Sequence, residues 1–162
     1  MEAIIFTGIQ ATGKSTFYKQ HFADTHVRIN LDMLKTRRRE TLLLEACIEA
    51  KQSFVVDNTN PTAENRKKYI EPARAAGFRI IGYYFQSKIK EALSRNRQRS
   101  GKACIPEIGV RATFAKLQRP DFSEGFDVLY YVSIINRENE EDEKGEEEEK
   151  TQSIFRINQW IK

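Results

Sequence analysis

Short apolar stretches alternate along the chain with longer segments in which apolar positions recur at helical spacing among charged ones. Ala3 to Phe6, Val27 to Ile29, Ser53 to Val56 and Phe78 to Phe85 predict strands, the last rich in Ile, Tyr and Phe. The segments between them predict helices at 14–24, with Phe17 and Phe22 as core contacts, at about 32–50, and at about 61–76. Asn30 or Asp32 caps the second of these. Pro61 at a first helical position and Gly77 just past the end frame the third, and Pro72 inside it predicts a kink. Ser87 caps a further helix to Gln98 or Arg99, which puts Arg95 and Arg99, four apart, on one face. A basic loop follows, and then a helix to about Gln118 with an apolar stripe of Val110, Phe114 and Leu117. Residues 88–118 thus read as a helical hairpin able to close over a ligand as a lid. Asp127 to Ile135 and Ile154 to Trp160 predict two last strands, paired as a hairpin.

Strand alternating with helix predicts an α/β fold with a mainly parallel central sheet, whose ligands bind at the carboxyl ends of strands. Gly8, Asp32 and Asp57 fall at such ends. At 162 residues the chain is expected to be one domain, 1–162. Two cysteines, Cys47 and Cys104, exclude a disulfide scaffold and have no metal-site spacing. No apolar run approaches the roughly 18 residues of a membrane helix, and the start of the chain has no signal-peptide pattern. A cytoplasmic protein is expected. The formal charge of +4 hides a segregation, because residues 138–150 hold nine acids against Lys144 and Lys150. The remaining 25 basic and 14 acidic residues leave +11 on the body, which suits a polyanionic partner or an ordinary solvated surface. The acidic run itself reads as a disordered insert.

The first strand runs into Gly8-Ile9-Gln10-Ala11-Thr12-Gly13-Lys14-Ser15-Thr16, which is the phosphate-binding P-loop, GxxxxGKS. Gly8 and Gly13 let a row of N–H groups turn toward phosphate oxygens, and the helix that follows presents its positive end. Residues Gln10 to Thr16 would line the nucleotide, Lys14 reaching the β- and γ-phosphates and the Ser15 hydroxyl ligating Mg²⁺. The fold expected is therefore a P-loop NTPase/kinase fold, with ATP and Mg²⁺ as cofactors. Asp32 stands where a carboxylate could take the proton of an acceptor hydroxyl, or where it would cap a helix. Asp57 ends an apolar strand, the position of a carboxylate that holds Mg²⁺ through water, or it opens an Asx-turn with Asn58. Lys35 and Arg37 to Arg39 put cations in the first turns of a helix, against its dipole, either for function or as a solvated face.

These residues carry a resemblance to the kinase domain of the polynucleotide 5′-kinase family, the P-loop module of 5′-kinase/3′-phosphatases. It rests on Gly8 to Thr16, Arg28-Ile29-Asn30-Leu31-Asp32-Met33-Leu34-Lys35 and Val55-Val56-Asp57-Asn58-Thr59-Asn60-Pro61. It continues through Ala73 to Gly77, Arg95-Asn96, Arg99, Lys102-Ala103 and Ile105-Pro106 to Glu124-Gly125-Phe126. The resemblance implies Asp32 as general base, Lys14 and Ser15 as the grip on ATP·Mg²⁺, and Arg95 and Arg99 as lid residues that stabilise charge on the transferring phosphoryl. Lys35, Arg38 and Asn58 would contact the acceptor, Lys35 at its 3′-phosphate, and Asp57 would position metal or acceptor.

The chain departs from the family's pattern at Leu31, where a basic residue is common, and at Lys35, where arginine is usual. Lysine offers a point charge where arginine offers a bidentate fork, and the Arg37 to Arg39 cluster is the candidate for compensation. There is no Asp-x-Asp phosphatase motif, so a kinase module alone is expected, with a repair or ligase protein as a partner. The function expected is phosphorylation of 5′-hydroxyl ends of DNA or RNA. A P-loop kinase for a small metabolite or tRNA-bound acceptor uses the same machinery. A nucleotide-dependent regulatory module is disfavoured by the lack of an Asn-Lys-x-Asp guanine motif.

Overall fold

Strand β1 (Glu2–Thr7) is buried along almost its whole length, and successive residues feed opposite cores. Ala3 and Ile5 enter one apolar cluster while Ile4 and Phe6 enter another. An unbroken apolar strand of this kind is what a sheet covered on both faces requires. The computed structural model describes residues 1–135 and 154–161. The acidic stretch 138–150, expected as an insert, lies outside the described residues. Six strands form one sheet in the order β2-β3-β1-β4-β5-β6: β2 (Val27–Ile29), β3 (Phe54–Val56), β4 (Arg79–Phe85), β5 (Val128–Ile135) and β6 (Ile154–Gln159). The first five are parallel and β6 runs antiparallel to β5, from Tyr130 opposite Gln159 to Ile135 opposite Ile154, as the hairpin reading expected.

Helix α1 (Lys14–His21) packs Phe17 against Phe6 and Phe85 on one face. The opposite face takes Leu44 and Cys47 from α3 (Arg37–Glu49) and Tyr69, Ile70 and Ala73 from α4 (Ala63–Ala75). A smaller core joins Ile9 to Ala92 and Leu93 of α5 (Ile89–Arg97) and Val110 of α6 (Glu107–Lys116). No helix among the described residues is long and apolar enough to cross a membrane.

Four local expectations are corrected. The helix expected at about 32–50 is two: a single turn α2 (Leu31–Leu34), then α3, with the chain breaking at Lys35, whose φ is 71°. The break follows from capping, since the Asn30 side chain accepts from Met33 N–H and Thr36 accepts from Arg39 N–H. Pro61 precedes α4 instead of opening it. Thr62 is the cap and exchanges hydrogen bonds with Asn65 in a capping box. Ser87 does not cap α5; its hydroxyl donates to Phe85 O and accepts from Ile9 N–H of the P-loop. Phe114 is 42% exposed, so the stripe of α6 reduces to Val110 and Leu117.

A buried arginine fixes the base of the helical hairpin. Arg66 is fully buried and pairs with Glu124 through two bonds of 2.7 Å, and its remaining nitrogen donates to Asn60 O and Gln118 O. This joins α4, the turn after β3 and the segment beyond α6.

Candidate active site

Chain geometry between β1 and α1 leaves backbone donors free for an anion. Gly13 caps α1 at φ 90° and supplies no side-chain acceptor, so first-turn N–H groups are left for a ligand. A side chain at Gly13 would meet Phe155 at 2.9 Å and Ile134 at 3.1 Å, and one at Gly8 would meet Phe85 Cβ at 3.0 Å. The loop is pinned from outside: Gly8 N–H donates to Thr59 O, Asn60 Nδ2 to Phe6 O, and Gln10 Nε2 to Thr113 Oγ1 of α6. Lys14 folds over the loop, its ammonium donating to Gly8 O at 2.9 Å and Ile9 O at 2.6 Å. Burial, reinforced by Arg99 and partly offset by Asp57 and Asp32, pulls the Lys14 pKa down to about 8. Asp32, Asp57 and Arg99 line the same cavity as this ammonium.

Because β3 lies next to β1 in the sheet, their carboxyl ends bring Asp57 to the loop. The Ser15 hydroxyl donates to Asp57 Oδ2 at 3.0 Å, and Arg28 of β2 pairs with the same carboxylate. Asn30 Nδ2 donates to Asp57 O, Asp57 N–H to Ile29 O, and Leu31 N–H to Asn58 Oδ1 at 2.9 Å. These bonds fasten α2, and with it Asp32, to the end of β3. A hydroxyl and a carboxylate oxygen so close are a fitting donor pair for Mg²⁺, which takes oxygen ligands. Among the described residues no group of three His, Cys, Asp or Glu is arranged to hold a metal, so phosphate and water oxygens would complete the shell.

Two cavities meet at Asp32. The first, about 560 Å³, is lined by loop residues Gln10 to Ser15 together with Arg28, Asp32, Lys35, Asp57, Asn58, Arg99 and Lys102. The second, about 350 Å³, runs past Asp32 and Asn58 to Arg37, Asn65 and Lys68. Its wall is ordered by Glu40, 3% exposed, which accepts from Arg37, Lys68, Asn58 Nδ2 and the Tyr69 hydroxyl. Burial raises the Glu40 pKa, but the Tyr69, Arg37 and Lys68 donors outweigh it and hold the carboxyl below its ordinary value.

The sequence-derived site residues are thus distributed unevenly. Lys14, Ser15, Asp32, Lys35, Asp57, Asn58 and Arg99 converge on the first cavity. Lys35 Nζ donates to the Asp32 carbonyl oxygen. Gly8 shapes the loop from behind, and Thr16 is exposed on α1 outside both cavity linings. Arg95 and Arg99 do not share a helix face, because α5 ends at Arg97. Arg95 Nε donates to Ala11 O at 2.8 Å, and Arg99 lines the cavity from the following loop. Arg38 lines neither cavity; its neighbour Arg37 faces the second. Sequence reasoning gave no site role to Arg28, Lys102, Lys68, Glu40 or Ser87, although Arg28 and Lys102 stood in the resemblance and Ser87 was read as a helix cap. Arg28 could have been found as the cation inside an apolar strand, opposite Val55 and so two residues short of Asp57. Lys68 and Glu40 carry no local signal, since their meeting depends on α3 packing beside α4.

A phosphate loop at the end of the central strand, in a parallel sheet with a helical hairpin over it, defines a nucleotide-binding P-loop kinase. A family model described as an AAA domain matches residues 4–120, and the chain belongs to that family. The resemblance to the kinase domain of polynucleotide kinases holds: the chain is 33% identical over 132 residues to the bifunctional polynucleotide phosphatase/kinase of Schizosaccharomyces pombe, covering 77% of this chain and 32% of that one. It is 24% identical over 144 residues to the L-seryl-tRNA(Sec) kinase of Methanococcus maripaludis, covering 77% of this chain and 56% of that one. The chain therefore spans between about a third and just over half of these relatives' lengths. The fold matches that of Kti12 from Chaetomium thermophilum, solved with ADP-AlF3, at a TM-score of 0.65 and 14% identity over 81% of this chain and 88% of that one. Over the matched residues the chain is a P-loop domain of the kinase type.

Proposed function

We propose that the protein transfers the γ-phosphoryl group of ATP to the 5′-hydroxyl of a DNA or RNA end. The observation that carries this reading is the meeting of two cavities at Asp32, one lined by the P-loop and one walled by Arg37 and Lys68. The basic body, +11 outside residues 138–150, suits a polyanionic acceptor.

The loop N–H groups and Lys14 bind the triphosphate, and Lys14 exchanges the carbonyls of Gly8 and Ile9 for phosphate oxygens as it does so. Ser15, backed by Asp57, would hold Mg²⁺, which would neutralise charge on the triphosphate when bound. Asp32 orients the acceptor hydroxyl and accepts its proton as the oxygen attacks γ-phosphorus; the bond to the bridging oxygen breaks and ADP leaves. Arg99 and Lys102 meet the charge on the equatorial oxygens. Arg95 fixes the Ala11 carbonyl and so couples the helical lid, residues 88–118, to the loop. Lys35, Arg37 and Asn58 engage the acceptor and its nearest phosphate.

Label transfer from γ-labelled ATP to a panel of 5′-hydroxyl oligonucleotides, beside free nucleosides, tests the reading. Oligonucleotides should be labelled and nucleosides scarcely. A second reading, a small-metabolite or tRNA-bound acceptor, is favoured by the likeness to the Methanococcus tRNA kinase. The two differ in salt response: oligonucleotide binding should weaken steeply with ionic strength, binding of a small acceptor much less.

A further inference from the structure

Around Asp57 there is a cation that the transfer chemistry does not use. Asp57 is 2% exposed, and both Nε and Nη2 of Arg28 donate to its Oδ2, at 2.9 and 2.5 Å. The same Nη2 donates to the Ser15 hydroxyl at 2.9 Å, while that hydroxyl donates to the same Oδ2 at 3.0 Å. Three donors therefore crowd one carboxylate oxygen, whose lone pairs number about two. The oxygens that Arg28 bridges are those that would hold Mg²⁺.

We propose that Arg28 is a built-in cation at the metal position, competing with the divalent ion for Ser15 Oγ and Asp57 Oδ2 and thereby setting how tightly the site takes metal. This rests on the reading that the site works with a metal nucleotide. The argument is one of occupancy and charge. A cation that binds Oδ2 must displace at least one Arg28 donor, and it arrives beside a guanidinium that does not lose its charge. The Arg28 side chain is able to give way, because it is 23% exposed and lies along the first cavity, with its guanidinium carbon 5.3 Å from the Tyr18 ring centroid. Withdrawn from Asp57, its planar fork remains within the phosphate cavity, where it suits an oxyanion.

Mn²⁺ binding to the full chain, followed by electron paramagnetic resonance without nucleotide and again with ADP, tests the proposal apart from catalysis. Arg28→Gln should bind Mn²⁺ about tenfold more tightly than the natural chain, as removal of a competing cation requires. Arg28→Lys, a point charge unable to bridge both oxygens, should fall between. Unchanged or weaker Mn²⁺ binding in Arg28→Gln, with a native melting profile, would overturn the proposal. Should Arg28→Gln fail to fold, Arg28→Lys with the affinity of the natural chain would overturn it equally. A chain that labels no 5′-hydroxyl end but shows the tighter Mn²⁺ binding would refute the acceptor and leave this inference standing.

Discussion

Nucleotide affinity should fall as pH rises through about 8, and Lys14 should be the cause. In the free protein the ammonium is buried, its pKa is about 8 instead of 10.5, and its donors are spent on loop carbonyls. Phosphate oxygens brought against it favour the charged form and restore its pKa toward the ordinary value. Binding above pH 8 must then take up a proton, so affinity is level below that pH and declines above it. With the free pKa at about 8, the neutral form outnumbers the charged form by about tenfold at pH 9, which weakens binding about tenfold relative to pH 7. The nucleotide's own terminal phosphate, with a pKa of about 6, is already ionised across this window. Stability of the free protein has the opposite sign. A lysine whose folded pKa is lowered is penalised in its charged form below pH 8, and that penalty lifts as pH rises from 8 toward 10.5. Calorimetric titration of ADP between pH 7 and 9.5, in buffers of differing ionisation enthalpy, measures both affinity and proton uptake. Lys14→Met should bind more weakly throughout and lose the slope. A level profile in the natural chain, or an identical slope in Lys14→Met, would refute the reasoning.

Two further substitutions examine the scaffold. Replacing the buried Arg66 by Met strands Glu124 and two backbone carbonyls and should lower stability by about 3–5 kcal/mol, read from denaturant unfolding; a loss under about 1 kcal/mol would mean that the pair is not structural. Glu40→Gln keeps one acceptor oxygen but removes the charge and turns the other into a donor, so either the Asn58 and Tyr69 pair or the Arg37 and Lys68 pair loses its partner, and stability should drop by about 1–3 kcal/mol. In that variant transfer should slow with ATP affinity kept, because the bonds disturbed line the second cavity; weakened ATP binding alone would count against the assignment.

The parallel sheet was legible because its strands are buried on both faces and read as continuous apolar runs, each followed by a helical period. The P-loop was legible for the same kind of reason: glycine, lysine and serine at fixed spacing have a backbone geometry that follows from residue type. What escaped was tertiary. The break at Lys35 needs a left-handed residue between two caps, Asn30 and Thr36, and nothing in a lysine announces one. Ser87 resembled a helix cap, yet the loop after β1 offers Ile9 N–H in competition and wins the hydroxyl. Glu124-Gly125-Phe126 entered the reading as part of a resemblance; its physical content is the ion pair of Glu124 with Arg66 and the packing of Phe126 in the main core.

The central claim is that a hydroxyl held by Asp32 meets the phosphoryl group bound at the loop. Single-turnover transfer from γ-labelled ATP to a 5′-hydroxyl oligonucleotide, compared between the natural chain and Asp32→Ala with ATP affinity measured on both, is the most direct test. Loss of a general base should slow transfer by at least about 10²–10⁴-fold while ATP binds nearly as before. Transfer at close to the natural rate in Asp32→Ala would contradict the account.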